Sequence, residues 1–468
     1  MRLQLITSSS LLIRYCYSFQ QPLTSSSSAA FLMTTTRTVA PPSSTALSSV
    51  NKNVRIVSYN VLSSKLSRPS HFTHSNPEHL TMKYRLPLIL KKMEAEMDRA
   101  LSSGGAGVDK IVEDALQKDD TQSSSPPPTI FALQEICYSF TSELHAFFAQ
   151  RGYQFVTGLY GKKFNGYMGV GIAYPTEHFE TVKVDICRLS DERIDGWPRE
   201  EIDEDVAAAK KGPGVMQQLS TVLNQFIRNR VLKQLGFQSQ EQRKPIDPWE
   251  MSENRFNVLV SVALRHRHNN CGDGTFLISN YHMPCAFYAP PVMNIHSEMV
   301  ARRVQTLAAD VHGSLGEGAT EDGINTIPYI LAGDFNIMPD SAHYKLITTG
   351  SLDKSDPTYP PSKFGVGWTV EAEAMDSAYA EVGAEPEFTN YAHIQDQEDP
   401  FIGTLDYIFL SRKAKTTRII DEKVAGEWWK VHGVTKLPSV AASGGPFPNA
   451  DEPSDHLLIS ADLELVSK

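Results

Sequence analysis

The chain has 468 residues, 41% hydrophobic and 21% charged, with a formal net charge of -10. This is ordinary globular composition, and the acidic balance argues against a protein that coats nucleic acid through a broad basic surface, while leaving room for an acidic centre around a divalent cation. No run reaches the roughly 18 apolar residues of a membrane helix, and the cysteines (Cys16, Cys137, Cys187, Cys271, Cys285) include no CxxC pair, so neither a zinc ribbon nor a disulfide framework is outlined.

Residues 1–52 read as a disordered N-terminal segment rich in Ser, Thr and Pro. With Arg2, Arg14 and Arg37 and no acidic residue before Glu78, the segment is similar to an organellar targeting peptide. A mitochondrion or plastid is the expected location, and the cytoplasm if translation starts at Met33. The remainder, 53–468, reads as one large domain. A β-rich run at 54–59 ends in Asn60, and helical spacing follows at 86–101. Residues 102–129, with Gly-Gly, Ser-Ser-Ser and Pro-Pro-Pro, read as a surface insertion. The short apolar strand 130–133 then runs into Gln134-Glu135. Further strands are expected at 170–174, 256–264, 276–281, 329–332, 407–410 and 457–465. A second insertion covers 191–254 and contains an amphipathic helix at 215–237, packed on the domain or serving as a lid or substrate guide. Many strands, interleaved helices and polar residues at strand ends indicate an α/β sandwich of two sheets with outer helices.

The chemistry-bearing residues sit at those strand ends. In Leu331-Ala332-Gly333-Asp334-Phe335-Asn336 an apolar strand meets a carboxylate and a carboxamide two residues apart. Side chains at i and i+2 of an extended segment point the same way. Asp334 and Asn336 then address one substrate atom, one orienting or deprotonating water and the other donating to an oxyanion; an Asx-type turn is the structural alternative. Glu135 is a natural ligand for a hard cation or a solvated loop acid, and Asn60 an uncharged donor for that carboxylate or for a phosphate oxygen. His282, Asp406 and Ser454-Asp455-His456 each border an apolar strand, and an acid beside an imidazole suits a steadied base or cation.

In order, the SYN, LQE, GDFN, LDYIF and SDH pieces resemble the signature of the endonuclease/exonuclease/phosphatase superfamily over about residues 53–465. The run Gly333 to Tyr344, Lys83-Tyr84-Arg85 and Phe388-Thr389-Asn390-Tyr391 are similar to its deadenylase, nocturnin and angel-like branch. The resemblance implies a four-layer α/β sandwich of two packed mixed sheets flanked by helices. It also implies Mg²⁺, or Mn²⁺ in its place, held by Glu135 with help from Asn60. Asp334 would align water, Asn336 and His282 contact the scissile phosphate, Asp406 and Asp455 support the site, and His456 receive a proton or stabilise the phosphorane. Phe401, five residues before Asp406, occupies the place of a base-stacking aromatic; a core phenylalanine is the alternative. The implied activity is 3′-to-5′ hydrolysis of single-stranded RNA releasing 5′-nucleotides. A 2′-phosphorylated or 2′,5′-linked small nucleotide is the other substrate class, and a non-catalytic RNA-binding scaffold a remote third reading. Three departures bear on substrate and partner: His282 lies in His-Met-Pro-Cys, the 191–254 insertion is long, and no leucine-rich-repeat docking segment is expected.

Overall fold

Runs of apolar residues at successive positions build two sheets whose central strands are buried on both faces. In the computed structural model one sheet runs, in spatial order, β13 (Trp429–Val434), β14 (Ile459–Leu465), β1 (Asn53–Asn60), β2 (Thr129–Ile136), β4 (Gly169–Pro175) and β3 (Tyr153–Leu159). The second runs β5 (Phe179–Arg188), β6 (Val258–His266), β7 (Thr275–His282), β8 (Tyr329–Asp334), β12 (Asp406–Ser411) and β9 (Met375–Ser377). A separate hairpin pairs β10 (Asn390–Ala392) with β11 (Phe401–Gly403). Both sheets are mixed, with parallel pairing only at β1–β2 and β7–β8. The structure describes residues 52–101, 126–200, 246–267, 274–316, 325–395, 397–413 and 427–466. The expected N-terminal targeting segment, nearly all of the first insertion and the 215–237 helix lie outside the described residues, as do Cys16 and Cys271.

The layers follow from residue parity. Val54 and Ile56, Ile130 and Ala132, Phe276 and Ile278, Ile330 and Ala332, and Ile408 and Leu410 meet in one core between the sheets. The opposite parity (Val57, Tyr59, Phe131, Leu133) packs under helices α1 (Met82–Asp98) and α2 (Tyr138–Gln150). On the second sheet Leu277, Tyr281, Leu331, Tyr407 and Phe409 pack with the helical side formed by α3 (Pro248–Glu253), α4 (Pro290–Ser314) and α5 (Ala342–Thr349). A four-residue helix, α6 (Ala378–Glu381), follows β9. This is the expected four-layer sandwich. Among the described residues no helix is long and apolar enough to cross a membrane.

The structure corrects the boundaries. The first helix begins at Met82, four residues before its apolar spacing, because the Thr81 hydroxyl caps it by accepting from the Tyr84 amide at 3.3 Å. The strand expected from 256 starts at Val258, and the Phe256 ring stands 49% exposed on the loop before it. Helix α4, 25 residues long, gave no amphipathic signal because every residue from Val292 to Ala301 is buried, leaving no polar stripe in that stretch. Edge strand β5 was hidden by its charges, Glu180, Lys183 and Asp185.

Candidate active site

One end of the sandwich collects the polar residues through the parity that builds the core. Positions 54, 56, 58 and 60 of β1, 330, 332 and 334 of β8, 406, 408 and 410 of β12, and 276, 278, 280 and 282 of β7 share the face between the sheets. At the ends of these strands the apolar series gives way to Asn60, Asp334, Asp406 and His282. Register then aligns them: His282 lies opposite Asp334 across β7–β8, and Asp334 opposite Asp406 across β8–β12. Asn60 lies opposite Gln134 in the other sheet. The two sheets are tied there by Asn280, which donates to the Leu133 and Gly171 carbonyls at 2.8 Å each and accepts from Gln134 Nε2 at 2.8 Å.

Glu135 has the wrong parity for this face. A register irregularity between Gln134 and Ile136 and a left-handed backbone at Glu135 (φ 56°) bring its carboxylate into the site. There Oε2 accepts from the Ser63 amide at 2.8 Å, and Oε1 lies 3.5 Å from Asn60 Nδ2. Burial raises the Glu135 pKa, with His282 pulling against it and Asp455 adding to it. Asn60 Nδ2 also donates to Asp334 Oδ2 at 2.9 Å, while its Oδ1 accepts from the Leu62 amide at 3.0 Å. Asn60 is therefore arranged as a donor between two carboxylates, with its oxygen turned to the backbone. Gly333 is required beside Asp334: its φ is 153° and a Cβ there would stand 1.9 Å from the Tyr281 carbonyl oxygen.

Asp334 is the hub. Its Oδ2 faces His282 Nε2 at 3.4 Å and His456 Nε2 at 3.6 Å. Its Oδ1 accepts from the Asn336 amide at 3.0 Å, so an Asx turn and a shared functional edge coexist here. Asn336 itself is left-handed (φ 52°) and donates Nδ2 to the Met283 carbonyl at 3.1 Å. Asp406 Oδ2 accepts from the Thr389 hydroxyl at 2.6 Å and meets His456 Nδ1 at 2.8 Å. Burial lowers the His456 pKa, but Asp406 and Asp334 outweigh it and hold the imidazole well above its ordinary value. The two carboxylates thus stabilise the imidazolium relative to the neutral ring. Ser454 fixes the SDH loop by donating to the Asn60 carbonyl at 2.7 Å. Asp455 lines the same cavity.

Several contributors escaped the motif reading. Tyr160 approaches His282 Nδ1 at 3.3 Å, and Asn257 donates to the His282 carbonyl at 2.7 Å and to the Tyr160 hydroxyl at 3.4 Å. Both lie on loops beside strands and have no motif around them. Arg85, noted only as part of a similar string, is fully buried and donates to the Val61 and Leu62 carbonyls on one loop and the Pro453 carbonyl on another. It therefore joins the backbone after Asn60 to the backbone before Asp455.

The cavity over these groups holds about 920 Å³. Glu135, His282, Asp334, Asn336, Asp455 and His456 line it, and Phe401 reaches it from β11. Phe401 is half-buried, its ring centroid 6.4 Å from that of Phe287, an exposed aromatic that the sequence reading did not single out.

Asp334, Asp406 and His456 also place one ligand atom each within 4.8 Å of one another. Within this group His456 Nδ1 and Asp406 Oδ2 are hydrogen-bonded to each other, and Asp406 Oδ1 is buried without a partner. Glu135 fits a hard cation better: it faces the cavity, its charge is disfavoured by burial, and Asp455 adds more negative charge.

No family profile matches the chain. The Ccr4 3′-5′-exoribonuclease subunit of the CCR4-Not complex from Aspergillus clavatus is 32% identical over 146 residues, 30% of this chain and 19% of that protein. A CCR4-NOT transcription complex subunit 6-like protein of Danio rerio is 23% identical over 203 residues, 40% of this chain and 33% of that protein. The matches thus span a third or less of these relatives' length. The crystal structure of ANGEL2, described as a 2′,3′-cyclic phosphatase, superposes with a TM-score of 0.52 at 17% identity, covering 89% of this chain and 96% of that one. The chain shares with ANGEL2 the fold of two mixed six-stranded sheets flanked by helices. The sequence similarity to these CCR4-NOT proteins covers less than half of this chain.

Proposed function

We propose that the chain is a divalent-metal-dependent phosphodiesterase that removes nucleotides from the 3′ end of single-stranded RNA. The carrying observation is that His282, Asp334, His456 and Glu135 meet on the floor of a cavity with aromatic walls, with the buried Asp406 opposite Asp334 in register and bonded to His456. A phosphodiester resists attack because it is anionic, so donors and positive charge must meet the charge that develops during displacement. Mg²⁺ held at Glu135 would act as a Lewis acid on a phosphoryl oxygen.

The side chains divide the remaining work. Asp334, fixed by Asn60 and the Asn336 amide, orients the attacking water and accepts its proton as the new P–O bond forms, and the departing 3′ oxygen is protonated from solvent as the old P–O bond breaks. The His456 imidazolium, anchored by Asp406, donates toward the phosphoryl group as negative charge builds. His282, steadied by Tyr160, offers a second imidazole from the opposite strand. The Asn336 amide has one N–H beyond its bond to Met283 available for a phosphate oxygen. Phe401 supplies a ring for a base.

Digestion of a panel by the purified chain with Mg²⁺ tests the reading: oligoadenylate, other homopolymers, 2′,5′-oligoadenylate, a 2′-phosphorylated dinucleotide and a 2′,3′-cyclic phosphate end. Stepwise shortening of 3′,5′-linked RNA with release of 5′-nucleotides is expected. Turnover confined to the small nucleotides would refute the exonuclease reading, and no turnover of any substrate would refute hydrolysis.

A further inference from the structure

The cavity is acidic at its floor but carries two cations on one wall. Lys162 and Arg255 both line it, and among the described residues neither forms an ion pair. Arg255 Nε is buried without a hydrogen-bond partner, although a buried guanidinium nitrogen normally finds an acceptor. The Arg255 backbone is pinned, its carbonyl accepting from Arg188 Nε at 2.8 Å and from the Ser190 hydroxyl at 3.0 Å. Lys162 is likewise fixed, its amide donating to Asn165 Oδ1 at 2.7 Å. Phe256, next to Arg255 in sequence, is exposed on the same cavity, and its ring centroid lies 4.9 Å from both Lys162 Nζ and the Arg188 guanidinium carbon. The Cys285 thiol, also on the wall, is pushed up to about 11 by burial, Asp334 and Glu135, with Arg255 opposing. The field of Arg255 therefore reaches the neighbourhood of the catalytic carboxylates.

We infer that Lys162 and Arg255 form a second phosphate subsite, which holds a non-scissile phosphodiester of a single-stranded nucleic acid while Phe256 receives a base beside it. This rests on the phosphodiesterase reading and goes beyond it by assigning strand selectivity to a wall separate from the catalytic floor. Two cations without carboxylate partners have a reason to exist where a second phosphate arrives, and an exposed ring beside them suits a sequence-tolerant stack. A substrate with a single phosphate uses the floor alone.

The test compares the wild type, a Lys162→Gln/Arg255→Gln double variant and the charge-keeping Lys162→Arg/Arg255→Lys pair, all with Mg²⁺. The substrates are bis(p-nitrophenyl) phosphate, a single-stranded oligoadenylate and a 2′-phosphorylated dinucleotide pyrophosphate. The neutral variant is expected to lose about tenfold or more in kcat/KM on the oligomer relative to bis(p-nitrophenyl) phosphate, chiefly in KM. Its log–log salt slope should fall by about 0.7 for each cation removed, and the charge-keeping pair should restore both. An equal loss on the two substrates, or an unchanged salt slope, would overturn the subsite. A loss confined to the dinucleotide pyrophosphate would overturn the strand assignment. Anisotropy of a labelled oligoadenylate in EDTA reads affinity without turnover. Tighter binding by the wild type than by the neutral variant supports the subsite even if no substrate is cleaved, an outcome that would sink the hydrolase reading instead. Equal affinity overturns the subsite.

Discussion

Replacing Asp406 with Asn probes the arrangement most directly, because it removes one charge and almost no volume. Asp406 is 2% exposed and meets His456 Nδ1 at 2.8 Å. The Thr389 hydroxyl that donates to Asp406 also accepts from the Leu405 and Asp406 amides at 2.9 and 3.1 Å, so the surrounding turn survives the change. What is lost is a charge-assisted hydrogen bond to the imidazolium, worth about 1.5–3 kcal/mol. If that bond holds His456 in its donating form and orientation, kcat/KM should fall about ten- to 150-fold. The pH dependence carries the sign. The folded pKa of His456 is raised, by Asp406 and Asp334 against the effect of burial. Its contribution to stability is complete below the ordinary histidine value and is lost as pH rises through the raised one. Activity that needs the imidazolium should therefore decline on the alkaline side. In Asp406→Asn that decline should begin at lower pH, and thermal stability should be lost at lower pH too. Initial rates on bis(p-nitrophenyl) phosphate with Mg²⁺, taken across pH beside thermal melts, provide the readout. An unchanged alkaline limb together with a near-native rate would refute a catalytic role for the Asp406–His456 pair.

The other expectations concern single side chains. Glu135→Ala should abolish turnover, as should EDTA on the wild type, and Mg²⁺ should raise the melting temperature of the wild type alone; full activity in excess EDTA would exclude the metal mechanism. Asp334→Asn keeps the shape of the hub but removes the charge that orients water, so kcat should drop at least about a hundredfold, and a near-native kcat would mean that water is oriented elsewhere. Phe401→Ala should weaken oligoadenylate binding by roughly 1–3 kcal/mol with little change in melting, because the ring is only half-buried at the cavity wall. A core role would instead cost about 3–5 kcal/mol of stability, and an equal kinetic loss on bis(p-nitrophenyl) phosphate would end the stacking idea.

The sequence alone located the strands that enter the middle of the sandwich and the polar residues that close them. A short continuous apolar run makes a buried strand legible, and a carboxylate or imidazole bordering it stands out; β8 ending in Asp334 and β12 beginning at Asp406 are the clearest cases. It missed elements whose surroundings cancel periodicity: α4, buried nearly all round in its first half, and β5, an edge strand carrying charge. It also missed groups that belong to the site only by proximity. Tyr160 and Asn257 flank His282 from loops about a hundred residues apart, and Arg85 links two loops separated by more than 360 residues. Such contacts are set by how β-strands from two sheets align at one end, which no local pattern encodes. Even Glu135, named from its motif, reaches the cavity only because a left-handed residue and a register irregularity reverse the parity of its strand. Sequence fixes which faces of the strands are apolar, because that follows from a two-residue repeat. Only the packing of one sheet on the other decides which polar ends face one another, at what distance, and therefore that His456 lies between Asp406 and Asp334, whose charges favour its imidazolium.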